Sequence, residues 1–403
     1  MSVGMRFLTL FVFFSYNDWG QINLESGTYK GQLAMNDRLT IPFHLFMEKE
    51  NNKWKAEIVN GKEHIPMHLT VFGDSITTRF PEMDAYLRFC TDGSQTSFRG
   101  YWVNQNKKKV VKIPFTASIE YDEVGLKKST ADLSGRWRTT FDPTSSAPEA
   151  AIGVFTQNHD WIEGTFLTET GDYRYLYGNM KENAFSLSTF NGSWAFLFDG
   201  KVVGDSIYGD FYSGPSYHTE WIAVKDAAAQ LRDEKSLTYV VNDKAMQTAG
   251  WLTLTNKPFA NISAKYKNKV VIYQIMGTWC PNCIDEIKLY KEFYKTYHAQ
   301  GLEIVALAYE VGTDKKVQLA RLKAFKKKMN LPYEIVLAGT SSKDVAAEQF
   351  PMLNGIMSFP TSVFVDKKGK VQTVFTGFSG PATGADYQKL SEEIRNEILR
   401  LMK

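Results

Sequence analysis

The sequence of 403 residues has few cysteines, and beyond its first twenty residues it has no apolar run approaching transmembrane length. Three cysteines are too few for a scaffold held together by disulfides. Cys280 and Cys283 form a single Cys-x-x-Cys, so we interpret this pair as chemical rather than structural. Cys90 lies in the apolar stretch 86–90, which predicts a buried and inert thiol.

An excess of one charge is also lacking, since 47 basic residues face 44 acidic ones and the net charge is +3. The basic runs 107–109 and 326–328 are short and have no array of aromatic residues beside them. Such runs are typical of solvated faces, and nucleic-acid binding is not predicted. The hydrophobic share of 43% indicates a folded chain, and its length is sufficient for two or three domains.

The first twenty residues contain Arg6, an apolar run over 7–14 and a polar stretch from Ser15 to Asp18. A charged start with a short apolar core is typical of a secretory signal, and the run is too short to span a bilayer. Residues 1–20 are therefore predicted to be a signal peptide, and membrane contact is expected only through this segment. The alternative is a buried first strand of the following domain.

Short apolar or alternating segments fill the first half of the chain, with turn signals such as Asn60-Gly61 and Asn191-Gly192 between them. The predicted strands of a first set are 29–33, 41–47, 54–58, 68–72 and 115–119. Those of a second set are 137–141, 151–155, 161–168, 173–178, 184–189, 193–198, 206–211 and 219–224. Many short strands at regular spacing predict an antiparallel sandwich or barrel. We predict two β-rich domains or repeats, at 21–125 and 131–225.

Two sequence similarities indicate that these sets are a weak internal repeat. Ser26-Gly27-Thr28-Tyr29 is similar to Ser134-Gly135-Arg136-Trp137, and Gly73-Asp74-Ser75-Ile76 recurs as Gly204-Asp205-Ser206-Ile207.

The pattern changes after the second set. Residues 226–234 are predicted to be a linker, with a helix-prone stretch at 227–232, and residues 235–403 form one α/β domain in which strands and helices alternate. The predicted strands are 270–276, 302–308, 334–337, 361–365 and 371–375. The first predicted helix begins near Cys283, and the other three cover 317–329, 343–350 and 387–401.

The run Trp279-Cys280-Pro281-Asn282-Cys283 lies where the first of these strands gives way to a helix. A thiolate is stabilised by the unpaired N–H groups of a helix N-terminus, so Cys280 is expected to be the more acidic and more exposed thiol. Cys280 would attack a substrate disulfide, and Cys283 would resolve the mixed disulfide.

The main structural alternative for this pair is half of a zinc site, which requires further ligands at suitable spacing. Cys90 is the one remaining cysteine, and none of the six histidines pairs with the motif. His64 and His68 lie four apart, a spacing more typical of solvated histidines than of a metal site. No metal and no cofactor are predicted.

Phe359-Pro360-Thr361 leads into a predicted strand and a hairpin. A cis peptide at this place would expose backbone groups to an extended substrate chain. The alternative is an ordinary proline at the start of a strand.

Residues 235–403 resemble the thioredoxin-like reductases of the TlpA/ResA type, which are related to the AhpC/TSA proteins. The matching segments are Gly277-Thr278-Trp279-Cys280-Pro281-Asn282-Cys283, Glu286, Ser358-Phe359-Pro360-Thr361 and Val363-Phe364-Val365-Asp366. The resemblance implies a thioredoxin-like fold, a cis Pro360 and a redox disulfide between Cys280 and Cys283. It also implies substrate contacts by Trp279, Phe359 and Pro360.

In this family a glutamate three positions after the second cysteine tunes the thiols and takes part in proton transfer, and Glu286 occupies that place. Ordinary thioredoxins instead bury an aspartate in the preceding strand, where this chain has Gln274. The alternative is that Glu286 is a first-turn residue that complements the helix dipole. Family members often have a proline two positions later, where this chain has Lys288.

The resemblance predicts an oxidoreductase in the periplasm or cell envelope of a bacterium, acting as a reductant or isomerase of exported proteins. Its partners would be protein disulfide substrates and an upstream thiol reductant. One alternative is a peroxiredoxin-like peroxidase, although Cys280 lacks the Pro-x-x-x-Thr-x-x-Cys setting of that class. The other is a binding protein whose β half acts, with the redox unit as an accessory.

Overall fold

The computed structural model describes residues 24–51, 53–91, 93–107, 109–120, 129–259 and 262–403. The predicted signal segment, residues 1–20, lies outside the described residues. The expected multi-domain class is confirmed, with antiparallel β-structure followed by a thioredoxin-like α/β domain. The boundaries at 125, 131, 226 and 235 stay predictions.

Eight antiparallel strands close into a first barrel, because each pairs with its sequence neighbour and the first also pairs with the last. They are β1 (Gly27–Ala34), β2 (Thr40–Glu50), β3 (Lys53–Asn60), β4 (Glu63–Phe72), β5 (Ser75–Arg79), β6 (Ala85–Thr91), β7 (Ser97–Asn104) and β8 (Val111–Ile119). Alternate residues face inward, as Ile41, Phe43 and Leu45 do on β2. In the interior the rings of Phe89 and Phe98 stack and Phe115 meets both edge to face, so the barrel has a packed core.

The prediction that Cys90 is buried is wrong. On β6 the side chains of Leu87 and Phe89 face the barrel interior. Successive side chains on a strand point to opposite faces, so Cys90 points outward and is exposed.

The next strands form a second closed ring, since β9 pairs with both β10 and β17, and β10 also pairs with β11. They are β9 (Gly135–Phe141), β10 (Glu149–Asn158), β11 (Trp161–Thr168), β12 (Gly171–Asp172), β13 (Leu176–Lys181), β14 (Ala184–Phe190), β15 (Ala195–Val203), β16 (Ser206–Ser213) and β17 (Tyr217–Lys225). The two-residue β12 adds to the end of β11. Aromatic side chains such as Phe141, Phe166 and Trp221 fill the centre.

The two sequence similarities have different structural meanings. Gly27 and Gly135 each open the first strand of a barrel, which agrees with a repeat. The Gly-Asp-Ser-Ile segments lie in non-equivalent hairpins, β4–β5 and β15–β16. Gly73 (φ 55°) and Gly204 (φ 59°) both adopt the left-handed conformation, so this similarity reflects a common turn.

The stretch 227–232 is not the helix that its composition favours. The Asp226 carboxylate accepts a hydrogen bond from the N–H of Ala228 at 3.0 Å, and Arg136 donates to the carbonyl of Ala229 at 3.3 Å. The bond from Arg136 uses a carbonyl that a helix would pair with a following N–H, and this tertiary contact overrides helix propensity here.

The C-terminal domain has a five-stranded sheet in the order β20-β19-β18-β21-β22, with β18, β19 and β20 parallel. Its strands are β18 (Val270–Met276), β19 (Leu302–Glu310), β20 (Glu334–Thr340), β21 (Thr361–Val365) and β22 (Val371–Thr376). The α-helices are α1 (Glu234–Leu237), α2 (Ile262–Lys265), α3 (Pro281–Tyr297), α4 (Lys315–Lys328), α5 (Lys343–Gln349) and α6 (Ala385–Met402). Two 3₁₀ turns lie at His298–Gln300 and Pro381–Thr383.

Helices cover both faces of this sheet. Helices α3, α4 and α6 pack on one face, and α5 packs on the other together with Trp251 and Phe259. All seven residues of β18 are buried, as expected of a parallel strand between two helical layers. The element order agrees with the predicted one.

None of the helices in the described ranges has both the length and the apolar content that crossing a membrane requires.

Candidate active site

The Cys280 thiol lies at the N-terminus of α3, directly after the central strand β18. Cys280 is the N-cap of the helix, and its Sγ accepts a hydrogen bond from the N–H of Cys283 at 3.3 Å. Pro281 occupies the first helical position, where its missing N–H costs nothing. The helix therefore begins two residues before the predicted start near Cys283.

The two cysteines differ in exposure. Cys280 is 6% exposed and Cys283 is fully buried. Burial raises the pKa of the Cys283 thiol well above its usual value, and the neighbouring Cys280 thiol raises it further. Both residues are free thiols in this structure.

The loop that ends at Pro360 faces Cys280. The peptide bond between Phe359 and Pro360 is cis, as the resemblance implies, and the Cys280 thiol donates to the carbonyl of Phe359 at 3.5 Å. The rings of Trp279 and Phe359 meet edge to face at 5.6 Å. The structure thus brings together Trp279, Phe359 and Pro360, the predicted substrate-binding residues, around the first thiol.

Glu286 lies in the second turn of α3, fully buried between β18 and β21. The Gln274 amide donates to one carboxylate oxygen at 2.7 Å, and the Ser362 hydroxyl donates to the other at 2.8 Å. Burial raises the pKa of Glu286 to about 7, although the bonds from Gln274 and Ser362 act in the opposite direction. A residue that merely complements the helix dipole would not need this burial.

Sequence reasoning missed Glu310, which ends β19 and is fully buried. Its carboxylate accepts hydrogen bonds from both the N–H and the hydroxyl of Thr278 at 2.8 Å. The neighbouring Tyr309 carbonyl accepts from the indole N–H of Trp279 at 2.9 Å. The end of β19 therefore holds the two residues that precede Cys280. A carboxylate just after the predicted strand 302–308 was the available signal.

Sequence reasoning also missed the contribution of the second barrel. The side-chain amide of Asn282 donates to the carbonyl of Asp172 at 3.2 Å, and Arg174 donates to the carbonyl of Pro281 at 3.3 Å. The Ser193 hydroxyl donates to the carbonyl of Trp279 at 3.0 Å. Two loops of this barrel, residues 169–175 and 191–194, thus contact the cysteine motif directly.

Arg174 joins all three parts of the molecule. Its buried guanidinium forms an ion pair at 2.5 Å with Asp285 of α3 and a second at 2.5 Å with Glu63 of the first barrel. Lys288 extends this network to Glu82 of the first barrel at 2.7 Å. Lys288 therefore takes part in a contact between domains.

Asp172 lies beside this network. One carboxylate oxygen accepts from the N–H of Arg174 at 2.6 Å, and the other accepts from the N–H of Gly380. Burial raises the pKa of Asp172 to about 6, and the nearby Asp285 adds to the effect.

The described residues contain no group of three or more His, Cys, Asp and Glu side chains placed to hold a metal ion. His64 bonds to Glu57 at 2.8 Å at the barrel surface.

Comparison with known proteins identifies the C-terminal domain. The AhpC/TSA family matches residues 241–374. The thiol-disulfide oxidoreductase ResA of Geobacillus thermodenitrificans is 33% identical over 114 residues, which are 28% of this chain and 57% of that protein. ResA of Geobacillus kaustophilus is 30% identical over 132 residues, 32% of this chain and 66% of that protein. The chain thus spans about three-fifths of the length of the curated relatives it matches.

Among solved structures, a thiol:disulfide interchange protein of the thioredoxin family from Chlorobium tepidum is 23% identical. The match covers 40% of this chain and 100% of the Chlorobium tepidum chain, with a TM-score of 0.27. From the sequence matches, residues 241–374 are an AhpC/TSA-family domain whose homologues include the ResA-type thiol-disulfide oxidoreductases.

Proposed function

We propose that this protein is a thiol-disulfide oxidoreductase that exchanges disulfides with exported protein substrates through Cys280 and Cys283. The observation that carries the proposal is the position of Cys280 as the N-cap of α3, with the Cys283 N–H donating to its sulfur. A helix N-terminus stabilises a thiolate, the form of cysteine that attacks disulfides. The protein would act as a reductant or isomerase.

The exchange has two steps. The Cys280 thiolate attacks one sulfur of a client disulfide, forms a Cys280–client disulfide and releases the other client sulfur as a thiolate. Cys283 then loses its proton and attacks the sulfur of Cys280. The Cys280–Cys283 disulfide forms, the client leaves as a dithiol, and two electrons have passed to it. An upstream thiol reductant restores the dithiol.

Glu286 is the proposed acceptor of the Cys283 proton. Burial keeps the pKa of Cys283 high, so this thiol needs a base before it can attack. Burial also brings the pKa of Glu286 to about 7, where a carboxyl group can both accept and release a proton near neutral pH. Trp279, Phe359 and Pro360 are the proposed contacts for the client chain.

Extracytoplasmic location is part of the proposal and rests on the apolar run at 7–14. Clients with disulfides occur in oxidising compartments, which agrees with a signal segment on a dithiol enzyme.

The proposal is tested by reduction of insulin disulfides. Cys280→Ser should abolish turnover, while Cys90→Ser, on the outer face of the first barrel, should leave it unchanged. Turnover retained by Cys280→Ser would overturn the assignment.

The resolving role has its own test. Cys283→Ser should accumulate mixed disulfides between Cys280 and the client, visible on non-reducing gels. Absence of such adducts from cells that express Cys283→Ser, when the client is present, would argue against resolution by Cys283.

A further inference from the structure

Residues 169–175 join β11 to β13 and include the two-residue β12; this segment, called the 169–175 loop here, lies against the cysteine motif. The carbonyl of Asp172 accepts from Asn282, and Arg174 donates to Pro281. A Cβ atom added to Gly171 would lie 2.1 Å from the amide nitrogen of Asn282. The loop is therefore in van der Waals contact with the residues between the two cysteines, and no peptide chain fits between them.

The same loop also covers the far side of the site. A Cβ atom added to Gly377 would lie 2.6 Å from the carbonyl carbon of Thr170. Asp172 accepts from the N–H of Gly380. The loop thus spans from the start of α3 to the segment that follows β22.

A second loop of this barrel, residues 191–194, contacts the residue before Cys280. Ser193 donates to Trp279, and Gly192 accepts from the indole of Trp102 in the first barrel at 3.1 Å. Phe190, at the start of this loop, packs against Phe43 and Trp102 inside the first barrel. Both loops thus contact residues next to Cys280, which is 6% exposed.

The side of Cys280 towards the Pro360 loop is more open. Met357 is 45% exposed, and Trp279 and Phe359 are half-buried. This leaves an approach for a small molecule, and a folded protein that used it would have to pass the loop at 169–175, which contacts the adjoining Pro281 and Asn282. Attack on a disulfide also needs room for both sulfurs and the chain on either side of them.

We propose that Asp172 and Arg174 determine which substrates reach Cys280, because they hold the 169–175 loop against Pro281 and Asn282, between the two cysteines. Small thiol reagents and small disulfides are admitted, and folded proteins are excluded. A protein client reaches the thiol when this loop leaves the motif. The inference rests on the proposed function, but the access of reagents to the Cys280 thiol can be measured without enzymatic turnover.

The test compares alkylation of the reduced full-length chain by iodoacetamide and by a poly(ethylene glycol) maleimide of several kilodaltons. Labelling at each cysteine is followed by mass spectrometry of its peptide. Exposed Cys90 is the internal reference within the same molecule. We expect iodoacetamide to label both Cys90 and Cys280. The large maleimide should label Cys90 at a similar rate but label Cys280 much more slowly.

Arg174→Ala should raise the rate of Cys280 labelling by the large maleimide at least about tenfold, since it removes charge-assisted contacts that hold the loop. Gly171→Leu keeps every charge but places a side chain against Asn282, and it should have the same effect if Arg174→Ala does not fold. Arg136→Ala is the matched control. It breaks the ion pair at 2.8 Å to Asp386, which joins the same two units away from the motif, and should change nothing.

Equal labelling of Cys280 and Cys90 by the large maleimide in the unmodified chain would overturn the inference. So would unchanged Cys280 labelling in folded Arg174→Ala and Gly171→Leu. If labelling follows the expected pattern but neither glutathione disulfide nor insulin is reduced, the cover stands and the proposed function fails.

Discussion

Glu286 connects the site to the pH dependence of folding. Its pKa is about 7 in the folded chain because of burial, against about 4.5 when exposed. A carboxyl group with a raised folded pKa contributes stability that is fully present below pH 4.5 and is lost as the pH rises through 7. The difference corresponds to roughly 3 kcal/mol at about 1.4 kcal/mol per pKa unit.

Glu286→Gln should therefore reduce the fall in unfolding free energy between pH 4.5 and 7.5 by roughly 3 kcal/mol, as measured by urea titration, while the part due to Asp172 remains. It should also alter the pH profile of thiol reactivity. Glu292→Gln, an exposed substitution on the same helix, is the control and should keep both profiles. If Glu286→Gln changes neither the pH profile of stability nor that of thiol reactivity, Glu286 has no role in proton transfer.

Glu310 is a positioning residue in the proposed reaction. Glu310→Ala leaves the buried N–H of Thr278 without an acceptor, which costs about 1–3 kcal/mol of stability. We expect slower alkylation of Cys280 by iodoacetamide and a changed emission of Trp279 on oxidation. Glu310→Gln retains an acceptor oxygen and should restore most of the rate, an outcome that loss of packing alone would not give.

At the scale of single residues, local chemistry made part of the site predictable. The motif around Cys280 and the spacing to Glu286 lie within one short segment, so their meeting follows from the start of a helix. Cys90 was misassigned because an apolar neighbourhood does not tell which face of a strand a residue occupies. Asp172 and Arg174 could not be found, since their partners on α3 lie more than a hundred residues away in the sequence.

Among the secondary-structure elements, the α/β domain was the most predictable part. Its parallel strands are buried on both faces and read as continuous apolar runs, as β18 shows. In the first barrel, β5, β6 and β7 were not predicted as strands. The apolar stretch 86–90 within β6 and the alternation of apolar Phe98 with polar Arg99 in β7 are strand signals that the sequence does contain.

Helix α4 depends on its N-cap. The Asp314 carboxylate accepts from the N–H groups of Lys316 at 2.8 Å and Val317 at 3.2 Å. Asp314→Ala should lower the unfolding free energy by about 1 kcal/mol in urea titration. Asp344→Ala, within the first turn of α5 but not its cap, should have a smaller effect. Equal losses in both variants would show that helix-dipole charge rather than capping is the cause.

For the whole molecule, the ion pairs of Arg174 link the two barrels to the redox domain. Arg174→Ala leaves the carboxylates of Glu63 and Asp285 buried without their partner, and should cost about 3–5 kcal/mol. Combining it with Glu63→Gln and Asp285→Asn should recover much of this loss, as measured by urea unfolding. If Arg174→Ala alone is as stable as the unmodified chain, water already reaches the carboxylates of Glu63 and Asp285.

The order of the units along the chain gives the loop at 169–175 one more consequence. A chain emerges from the ribosome or a translocation channel with its N-terminal end first, and domains fold as units. The second barrel, which needs only residues up to Lys225 to close, can be complete before Cys280 has appeared. The redox domain would then fold against a second barrel that is already formed. This barrel would shield the new Cys280 thiol from oxidants and from incorrect disulfide partners while the domain folds.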